Sequence, residues 1–400
     1  MAELIAILAM IFWIATFVRA QVAIQQTPRL TAPAAGRPPA HVVALVPVRD
    51  EIDGLGPFLQ KLAAQDNIQL DALFYDDGST DGSAAVLDAA VAAHASWQVV
   101  HGSGVLPPGW CGKTHALTRA IETYRGSAKW LLFVDADVEL APLACAALVA
   151  TAEENGSDVA SPLPELVCDG FWASLLGPNF GGLATLRFPP PRVNDPADPC
   201  AFLNGQMILF RRTAYQRSGG FEAVRGEVLE DVALAQRAKA AGLTLRVVNG
   251  VALVRTRMYG TLDEHVAGWS KNLFALLGSS RRRALGMAVF VLVMSWLPLA
   301  SLITAIGAGL AGDRVAAAVG ALGYLLPTSF QIALRAQANT APLFAPLAPL
   351  ASLIVAATLW RVSFTRAPLS WKGRAYANPQ TAKGAAPGQA SDLSDGSGTS

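Results

Sequence analysis

Uncharged apolar segments lie near both ends of this 400-residue chain, and they constrain its fold more than any other feature. Residues 4–18 are almost entirely apolar, and residues 284–310 carry no charge, a stretch long enough to cross a bilayer. Residues 315–334 form a second candidate span, and residues 341–360 form a third that contains three prolines. Because most charges and all motifs lie between these segments, the sequence predicts a soluble domain tethered to a membrane at both ends.

The overall composition agrees with this organisation, since 52% of the residues are hydrophobic and 15% are charged, against about 25% charged in a typical soluble domain. Residues 1–20 have neither a strongly basic start nor a clear cleavage site, so we interpret them as an uncleaved anchor. Five parts are predicted: an N-terminal membrane anchor (1–20), a linker (21–40), an α/β domain (41–280), a membrane region of two or three apolar segments (284–361), and an interfacial basic segment with a disordered tail (362–400).

Basic residues flank the domain on both sides and predict its orientation. They are Arg19, Arg29, Arg37, Arg281, Arg282 and Arg283. The positive-inside rule therefore predicts a multi-pass protein of the cell inner (cytoplasmic) membrane, with the domain in the cytoplasm. Three crossings after the domain would place the basic residues that follow position 360 outside. We therefore expect one apolar segment to be re-entrant or interfacial, the alternative being an exception to the rule.

Charge and cysteine content exclude several other classes. The net charge of +1 gives no indication of nucleic-acid binding. The four cysteines are widely spaced, without a CxxC pair or a Cys/His cluster, so neither a zinc site nor a disulfide framework is indicated. A reducing compartment is the simplest interpretation.

Short apolar runs alternate with helical patterns in the first part of the domain. Strands are predicted at 42–46, 70–75, 97–101 and 130–134, and helices at 55–64, 83–95, 113–124 and 142–153. This alternation predicts an α/β fold with a Rossmann-like, mostly parallel sheet and ligands at the carboxyl ends of its strands. Beyond Asp158 the pattern is irregular, with a strand predicted at 206–210 and a helix at 232–241.

Two acidic clusters follow predicted strands. Asp135 and Asp137 end an apolar run, and such oxygen ligands suit Mg²⁺ or Mn²⁺, which usually hold phosphates as well as protein. One aspartate suffices as a direct ligand, and the other can hold water or a sugar hydroxyl; helix capping by Asp137 is the alternative. Asp76 and Asp77 begin a second cluster, which is either a simple turn or a set of acceptors for a base or ribose. Together they predict a nucleotide-diphosphate substrate held through a metal.

Three further polar residues lie at predicted helix starts. Lys113 follows Gly112, but the spacing fits neither a P-loop nor a dinucleotide fingerprint. Lys113 is therefore either a surface lysine or a group that neutralises a phosphate. Glu230 and Asp231 are either favourable partners of the helix dipole or the site of a general base that deprotonates an acceptor hydroxyl.

Residues 170–186 carry no charge and include Phe171, Trp172 and Phe180. The segment is short and rich in glycine for a crossing. Two interpretations remain equally open: an interfacial segment that meets a lipid acceptor, or a core helix.

In this order and spacing, the motifs resemble those of family 2 glycosyltransferases of the GT-A fold, over about residues 41–280. They are Val46-Pro-Val-Arg-Asp-Glu51, Asp76-Asp-Gly-Ser-Thr-Asp81, Gly112-Lys113, Asp135-Ala-Asp137 and Glu230-Asp231. A counterpart of the Gln/Arg-x-x-Arg-Trp motif of processive polysaccharide synthases keeps Trp269 but has Gly268 in place of Arg, which disfavours that group.

The resemblance implies inverting transfer from a nucleotide sugar. It implies that Asp77 contacts the nucleotide, that Glu51, Asp76, Lys113 and Asp135 lie at the donor, and that Asp135 and Asp137 serve the metal, Mg²⁺ or Mn²⁺. It further implies that Asp231 is the base and that Glu230 and Trp269 lie at the acceptor.

A closer likeness is to membrane enzymes that glycosylate lipids, which include ceramide and carotenoid glycosyltransferases and, above all, the hopanoid-associated HpnB-type glycosyltransferases. Pro107-Pro-Gly-Trp-Cys-Gly-Lys113 and Gly268-Trp-Ser-Lys-Asn272 carry it. It implies a membrane lipid acceptor, a hopanoid or another polyprenyl-derived lipid. The alternatives are a processive polysaccharide synthase and a non-catalytic membrane scaffold with a glycosyltransferase fold.

Overall fold

A seven-stranded sheet forms the centre of the domain in the structure, a computed structural model that describes residues 2–257, 259–278, 280–364, 369–371 and 374–376. The tail predicted to be disordered lies outside the described residues. The strands in these residues are β1 (Ala40–Val48), β2 (Ile68–Asp76), β3 (Trp97–His101), β4 (Trp130–Val134), β5 (Val138–Leu140), β6 (Val159–Leu163), β7 (Glu165–Val167), β8 (Met207–Arg211), β9 (Leu245–Asn249), β10 (Val254–Arg257), β11 (Leu369–Trp371) and β12 (Arg374–Tyr376).

The helices flank this sheet or extend from it. They are α1 (Ala2–Gln26), α2 (Ile52–Ala63), α3 (Ser83–Ala93), α4 (Gly112–Thr123), α5 (Ala144–Glu154), α6 (Gly170–Arg187), α7 (Pro190–Asn194), α8 (Arg212–Ser218), the 3-10 helix η1 (Phe221–Val224), α9 (Glu230–Ala240), α10 (Leu262–Leu276), α11 (Arg281–Leu310), α12 (Arg314–Gln337), the 3-10 helix η2 (Pro342–Leu347) and α13 (Ala348–Phe364).

The central sheet has the strand order β3-β2-β1-β4-β8-β6-β9. Only β8 runs against its neighbours β4 and β6; the other pairs are parallel. Strands β1 and β4 are buried on both faces because helices cover both faces: α2, α3 and α5 pack on one side, and α4, α8 and α9 on the other. The prediction of an α/β, Rossmann-like and mostly parallel sheet is confirmed.

A small sheet of order β5-β10-β7 lies beside the central one. Strand β5 begins one residue after Asp137, and Thr256 of β10 pairs with Val138. On its other side β10 pairs with β7, which leads into α6. The small sheet therefore links the end of β4 to α6.

Within the described part of the chain, four apolar helical segments are long enough to cross a membrane: 3–26, 281–310, 314–337 and 342–364. Helix α1 packs against α12 and α11, with Phe17 stacked on Phe330 and the Trp13 indole bonded to the Met294 carbonyl. The N-terminal and C-terminal helices therefore form one bundle, and their length and apolar composition are those of membrane-spanning helices. In the fourth segment the prolines are accommodated in η2 and at the start of α13.

A third core joins this bundle to the domain. Helices α6 and α10 contribute Leu175, Leu176, Trp269 and Phe274, which pack against the first turns of α11 and against α13. Residues 170–186 are thus helical, with part of their surface buried and Phe171 exposed. Within the domain, the sequence pattern did not predict β5, β6, β7, β9, β10, α7, α8, η1 and α10.

Candidate active site

Loops that follow β1, β2 and β4 place the acidic motifs at one edge of the central sheet. Strand β1 lies between β2 and β4 and is parallel to both, so the ends of these three strands lie side by side. The carboxyl edge of parallel strands is the usual ligand position in open α/β sheets.

Lys113 is the centre of a charged cluster at this edge. Its Nζ lies 2.7 Å and 2.8 Å from the two carboxylate oxygens of Asp135 and 3.3 Å from Glu230 Oε1. It also donates a 2.9 Å hydrogen bond to the Gly205 carbonyl. One side chain from the start of α4 therefore holds the end of β4, the loop before β8 and the start of α9.

Asp231 lies in the same cluster. Its Oδ2 accepts a 2.9 Å hydrogen bond from the Gly205 amide, and a Cβ on Gly205 would lie 2.9 Å from this oxygen. Glycine is therefore needed for this close approach. The sequence signal for this loop is the Asn204-Gly205 pair before a buried strand, and this pair is not among the predicted site residues.

The electrostatics of the cluster are those of carboxylates crowded around one cation. Burial alone would lower the pKa of Lys113, but the charges of Asp135 and Glu230 outweigh it and raise that pKa, so Lys113 is a cation. Burial and then the charge of Glu230 raise the pKa of Asp231, while Lys113 opposes the shift. Burial likewise raises the pKa of Asp135 against the effect of Lys113. A carboxyl group with a raised pKa suits general-base chemistry near neutral pH.

Asp137 is exposed beside this cluster, at the start of the small sheet. Its negative charge adds to the repulsion at Asp135. Burial together with the charge of Asp137 raises the pKa of Tyr259 to about 12, so this tyrosine is close to the site and was missed from the sequence.

The residues present fit a divalent metal that is shared with a substrate. Among the described residues, no three His, Cys, Asp or Glu side chains are grouped to hold a metal ion by themselves. Mg²⁺-type sites typically use one or two carboxylates plus substrate phosphates, and Asp135 and Asp137 supply such a pair of hard oxygen donors.

The turn after β2 forms the neighbouring wall. Asp76 is buried, and its oxygens accept a hydrogen bond from the Ser79 amide and contact His101 Nδ1. Asp77 is also buried, and Arg49 donates a 2.6 Å hydrogen bond to its carbonyl. Since the Asp76 carboxylate is engaged within the protein, its contact with a donor stays a prediction.

Two glycines let this turn approach the loop after β3. Gly78 has φ +70°, and a Cβ there would lie 2.7 Å from the Gly104 Cα, so neither sterics nor backbone conformation allow a side chain. Glu51 borders the same wall at the N-cap position of α2, and its amide donates a 3.0 Å hydrogen bond to Ser83 Oγ.

Trp269, the remaining predicted site residue, lies in helix α10. It is buried in α10, with its ring edge-on to His265 at 5.7 Å between centroids, in the core shared with the membrane bundle. Its predicted contact with an acceptor stays a prediction.

Comparison with known proteins defines the class. Residues 43–219 match the family model "Glycosyl transferase family 2". The chain thus contains a family 2 glycosyltransferase domain of GT-A fold, and the protein is a glycosyltransferase. A search of curated proteins gave no significant match.

Solved structures of similar fold include the mannosyltransferase PcManGT from Pyrobaculum calidifontis in complex with GDP-Man and Mn²⁺. It is 18% identical, with a TM-score of 0.55, and the match covers 91% of this chain and 99% of that one. This likeness shows the fold. S. aureus TarS 1-349 in complex with UDP is 14% identical, with a TM-score of 0.41 and coverage of 69% and 89%. Glucosyl-3-phosphoglycerate synthase from Mycobacterium tuberculosis, in complex with Mn²⁺, UDP and glucosyl-3-phosphoglycerate, is 20% identical, with a TM-score of 0.39 and coverage of 60% and 80%.

Proposed function

We propose that the protein transfers a sugar from a nucleotide-diphosphate donor to a lipid of the membrane that holds it, with inversion at the transferred carbon. The observation that carries the proposal is the cluster of Lys113 with Asp135, Glu230 and Asp231, at the carboxyl edge of a domain tethered at both ends by apolar helices.

The wall formed by Glu51, Asp76 and Asp77 lies beside the cluster and suits the nucleoside of the donor. Lys113 and Asp135 lie where the diphosphate would meet the metal. Asp135 and Asp137 would hold the Mg²⁺ or Mn²⁺, and the bound cation would offset the charge that develops on the diphosphate leaving group. The GDP-Man and Mn²⁺ complex of PcManGT, which has a similar fold, favours this kind of donor and metal.

Asp231 is the proposed general base. It accepts the proton of the acceptor hydroxyl as that oxygen forms a bond to the anomeric carbon. The bond between this carbon and the diphosphate oxygen breaks, and its electron pair leaves with the nucleoside diphosphate. The raised pKa of Asp231 makes it a stronger base than an ordinary aspartate. Glu230, which already contacts Lys113, lies on the acceptor side of Asp231 in this scheme.

The proposed topology has three crossings, α1, α11 and α12, with the domain on the cytoplasmic side. The fourth apolar segment begins and ends near the domain: Asn339, which precedes it, bonds to Glu165 of β7, and the ring of Phe364 at its end lies 3.8 Å from the Arg281 guanidinium. In this segment 44% of the residues are buried, against 11–17% in the other three. These contacts support an interfacial segment, which the positive-inside rule also predicts from the basic residues after position 360.

The acceptor class follows from two inferences. A catalytic domain held at a membrane surface can take an aqueous donor and a lipid acceptor from two phases. The resemblance to HpnB-type glycosyltransferases adds a hopanoid or another polyprenyl-derived lipid as the proposed acceptor, with Trp269 on the acceptor side.

Product analysis tests the proposal. Purified protein in detergent is incubated with Mn²⁺ or Mg²⁺, radiolabelled nucleotide sugars including GDP-mannose, and total lipid of the native membrane. We expect label in an organic-extractable product. The label should disappear in Asp231→Asn. The matched control is Asp263→Asn, which should remain active, because Asp263 is exposed and is the second residue of α10, as Asp231 is of α9.

Label in a water-soluble polymer would instead establish the polysaccharide synthase. Absence of both transfer and metal-dependent nucleotide-sugar binding would establish the scaffold. Full activity in Asp231→Asn would reject Asp231 as the base.

A further inference from the structure

Arg335 lies at the domain end of the membrane helix α12 and is buried. Its guanidinium donates hydrogen bonds to two carbonyls of α6, from Nη1 to Ser174 at 2.7 Å and from Nη2 to Leu175 at 3.2 Å. Among the described residues no carboxylate forms an ion pair with it. A buried arginine that bonds to backbone carbonyls of another helix fixes the position of that helix, since leaving such donors unpaired is costly.

The sequence of α6 explains why these carbonyls accept a side chain. In an α-helix the carbonyl of residue 174 would accept the amide of residue 178, but that residue is Pro178, which has no N–H. The carbonyl of Leu175 additionally accepts a 3.0 Å bond from the Asn179 side chain. Arg335 therefore supplies the donor that Pro178 removes, and it does so from the end of a membrane span.

Next to this attachment, α6 and η2 expose an apolar surface. Phe171 is 48% exposed, Leu343 is 84% exposed and Leu347 is also exposed. The rings of Phe171 and Phe344 are 5.5 Å apart, so the two elements form one surface. This α6–η2 surface (Phe171, Leu343, Leu347) carries no charged residue and continues from the end of α12, so its composition and position suit contact with lipid.

The α6–η2 surface is connected to the catalytic cluster through the small sheet. Strand β7 leads into α6. Leu166 of β7 also packs against Gly181 of that helix, so closely that a Cβ at position 181 would lie 3.1 Å from the Leu166 side chain. Arg257 of β10 contacts Glu139 of β5 and Asp169, the N-cap of α6. Strand β5 starts directly after Asp137, the proposed metal ligand. The three strands of the small sheet therefore connect this residue to α6 and its apolar surface.

We infer that the α6–η2 surface lies in the bilayer leaflet that faces the domain, where it guides the lipid acceptor to the cluster, and that Arg335 is the positioning residue that holds it there. The part that concerns the acceptor rests on the proposed function. The lipid contact itself does not, so it can be tested without activity.

Spin-label accessibility tests the lipid contact. The partly exposed Cys111 and Cys168 are replaced by Ser, Leu343→Cys is labelled, and the full chain is placed in nanodiscs of phosphatidylcholine and phosphatidylglycerol. We expect strong relaxation by O₂ and weak relaxation by the water-soluble nickel complex NiEDDA. Val105→Cys, at a 73% exposed apolar position in a domain loop, is the matched control and should show the reverse. NiEDDA accessibility at position 343 equal to that at position 105 would overturn the inference.

Arg335→Gln tests the positioning role, with the label now at Phe171→Cys. We expect higher NiEDDA accessibility and, with native membrane lipid as the acceptor source, a higher KM for lipid at unchanged KM for the nucleotide sugar. Adding Pro178→Ala should reverse both changes, because an alanine restores the amide that can bond to the Ser174 carbonyl.

Arg335→Lys keeps the charge but has a single donor group, so its changes in NiEDDA accessibility and in the KM for lipid should be intermediate. This variant replaces Arg335→Gln in the test if Arg335→Gln does not fold. Unchanged accessibility in both Arg335 variants would overturn the role of Arg335. No recovery with Pro178→Ala would overturn its pairing with the proline. An equal rise in both KM values would show a general structural effect instead of positioning.

Discussion

Replacing Lys113 with methionine tests whether one cation holds the proposed catalytic cluster together. The variant Lys113→Met keeps the length of the side chain and removes its charge from between Asp135, Glu230 and Asp231. Removing one partner of a fully buried ion pair costs about 3–5 kcal/mol. The side chains of Lys113, Asp135 and Glu230 are 29%, 26% and 14% exposed, so solvent screens part of this repulsion, and we expect a loss of about 2–4 kcal/mol.

Thermal unfolding in detergent measures this loss. For a domain of this size, the melting temperature should fall by about 2–4 °C for each kcal/mol of lost stability. Lys129→Met is the matched control, because Lys129 pairs with Glu153 at the same 2.7 Å distance but is 54% exposed; its loss should stay below about 1 kcal/mol. Added Mn²⁺ should raise the melting temperature of Lys113→Met more than that of the unchanged protein, since the released carboxylates can bind it. Equal melting temperatures for Lys113→Met and the unchanged protein, without metal, would refute this account of the cluster.

Three further outcomes are expected. Because the pKa of Asp231 is raised and the base must be ionised, the transfer rate should rise with pH through a midpoint well above the value near 4 of an ordinary aspartate, and a rate unchanged between pH 5 and pH 8 would contradict this. Asp137→Ala should weaken Mn²⁺-dependent donor binding in calorimetry, and unchanged metal dependence would reject its ligand role. Gly78→Ala should abolish donor binding because its Cβ would overlap Gly104, whereas Gly109→Ala, with a similar φ but open space, should retain it.

The fold of residues 40–154 was predictable because its central strands are buried on both faces and therefore appear as apolar runs. Turns separate these runs from the helices that follow them. The bounds of β3 and β4 agree with the prediction to the residue, since each is a short apolar run between clear turns. The second part was less predictable. Strand β6 contains Pro162, and β10 reads Val-Arg-Thr-Arg, so each depends on partners that are distant in sequence.

The candidate site also has a part that was predictable from the sequence and a part that was not. The acidic motifs marked the carboxyl edge of the sheet, because a buried strand that ends in aspartates has few structural reasons to do so. The contacts of Lys113 with Gly205 and Glu230 were not predictable, since they join residues about 90 and 117 positions apart through tertiary packing alone. The burial of Trp269 likewise depends on membrane helices that the sequence motif does not include.

The packing of α1 against α11 and α12 closes the intervening chain into a loop. When the domain unfolds in the membrane, its two ends stay together, as they would if a covalent bond joined residues 26 and 281. Such a constraint lowers the conformational entropy of the unfolded chain. For a loop of this length, the resulting gain in the free energy of unfolding is on the order of 5 kcal/mol. The helix bundle therefore stabilises the domain through the unfolded state, in addition to the packing contacts of the third core. The domain cut from its helices should lose both contributions and unfold more readily.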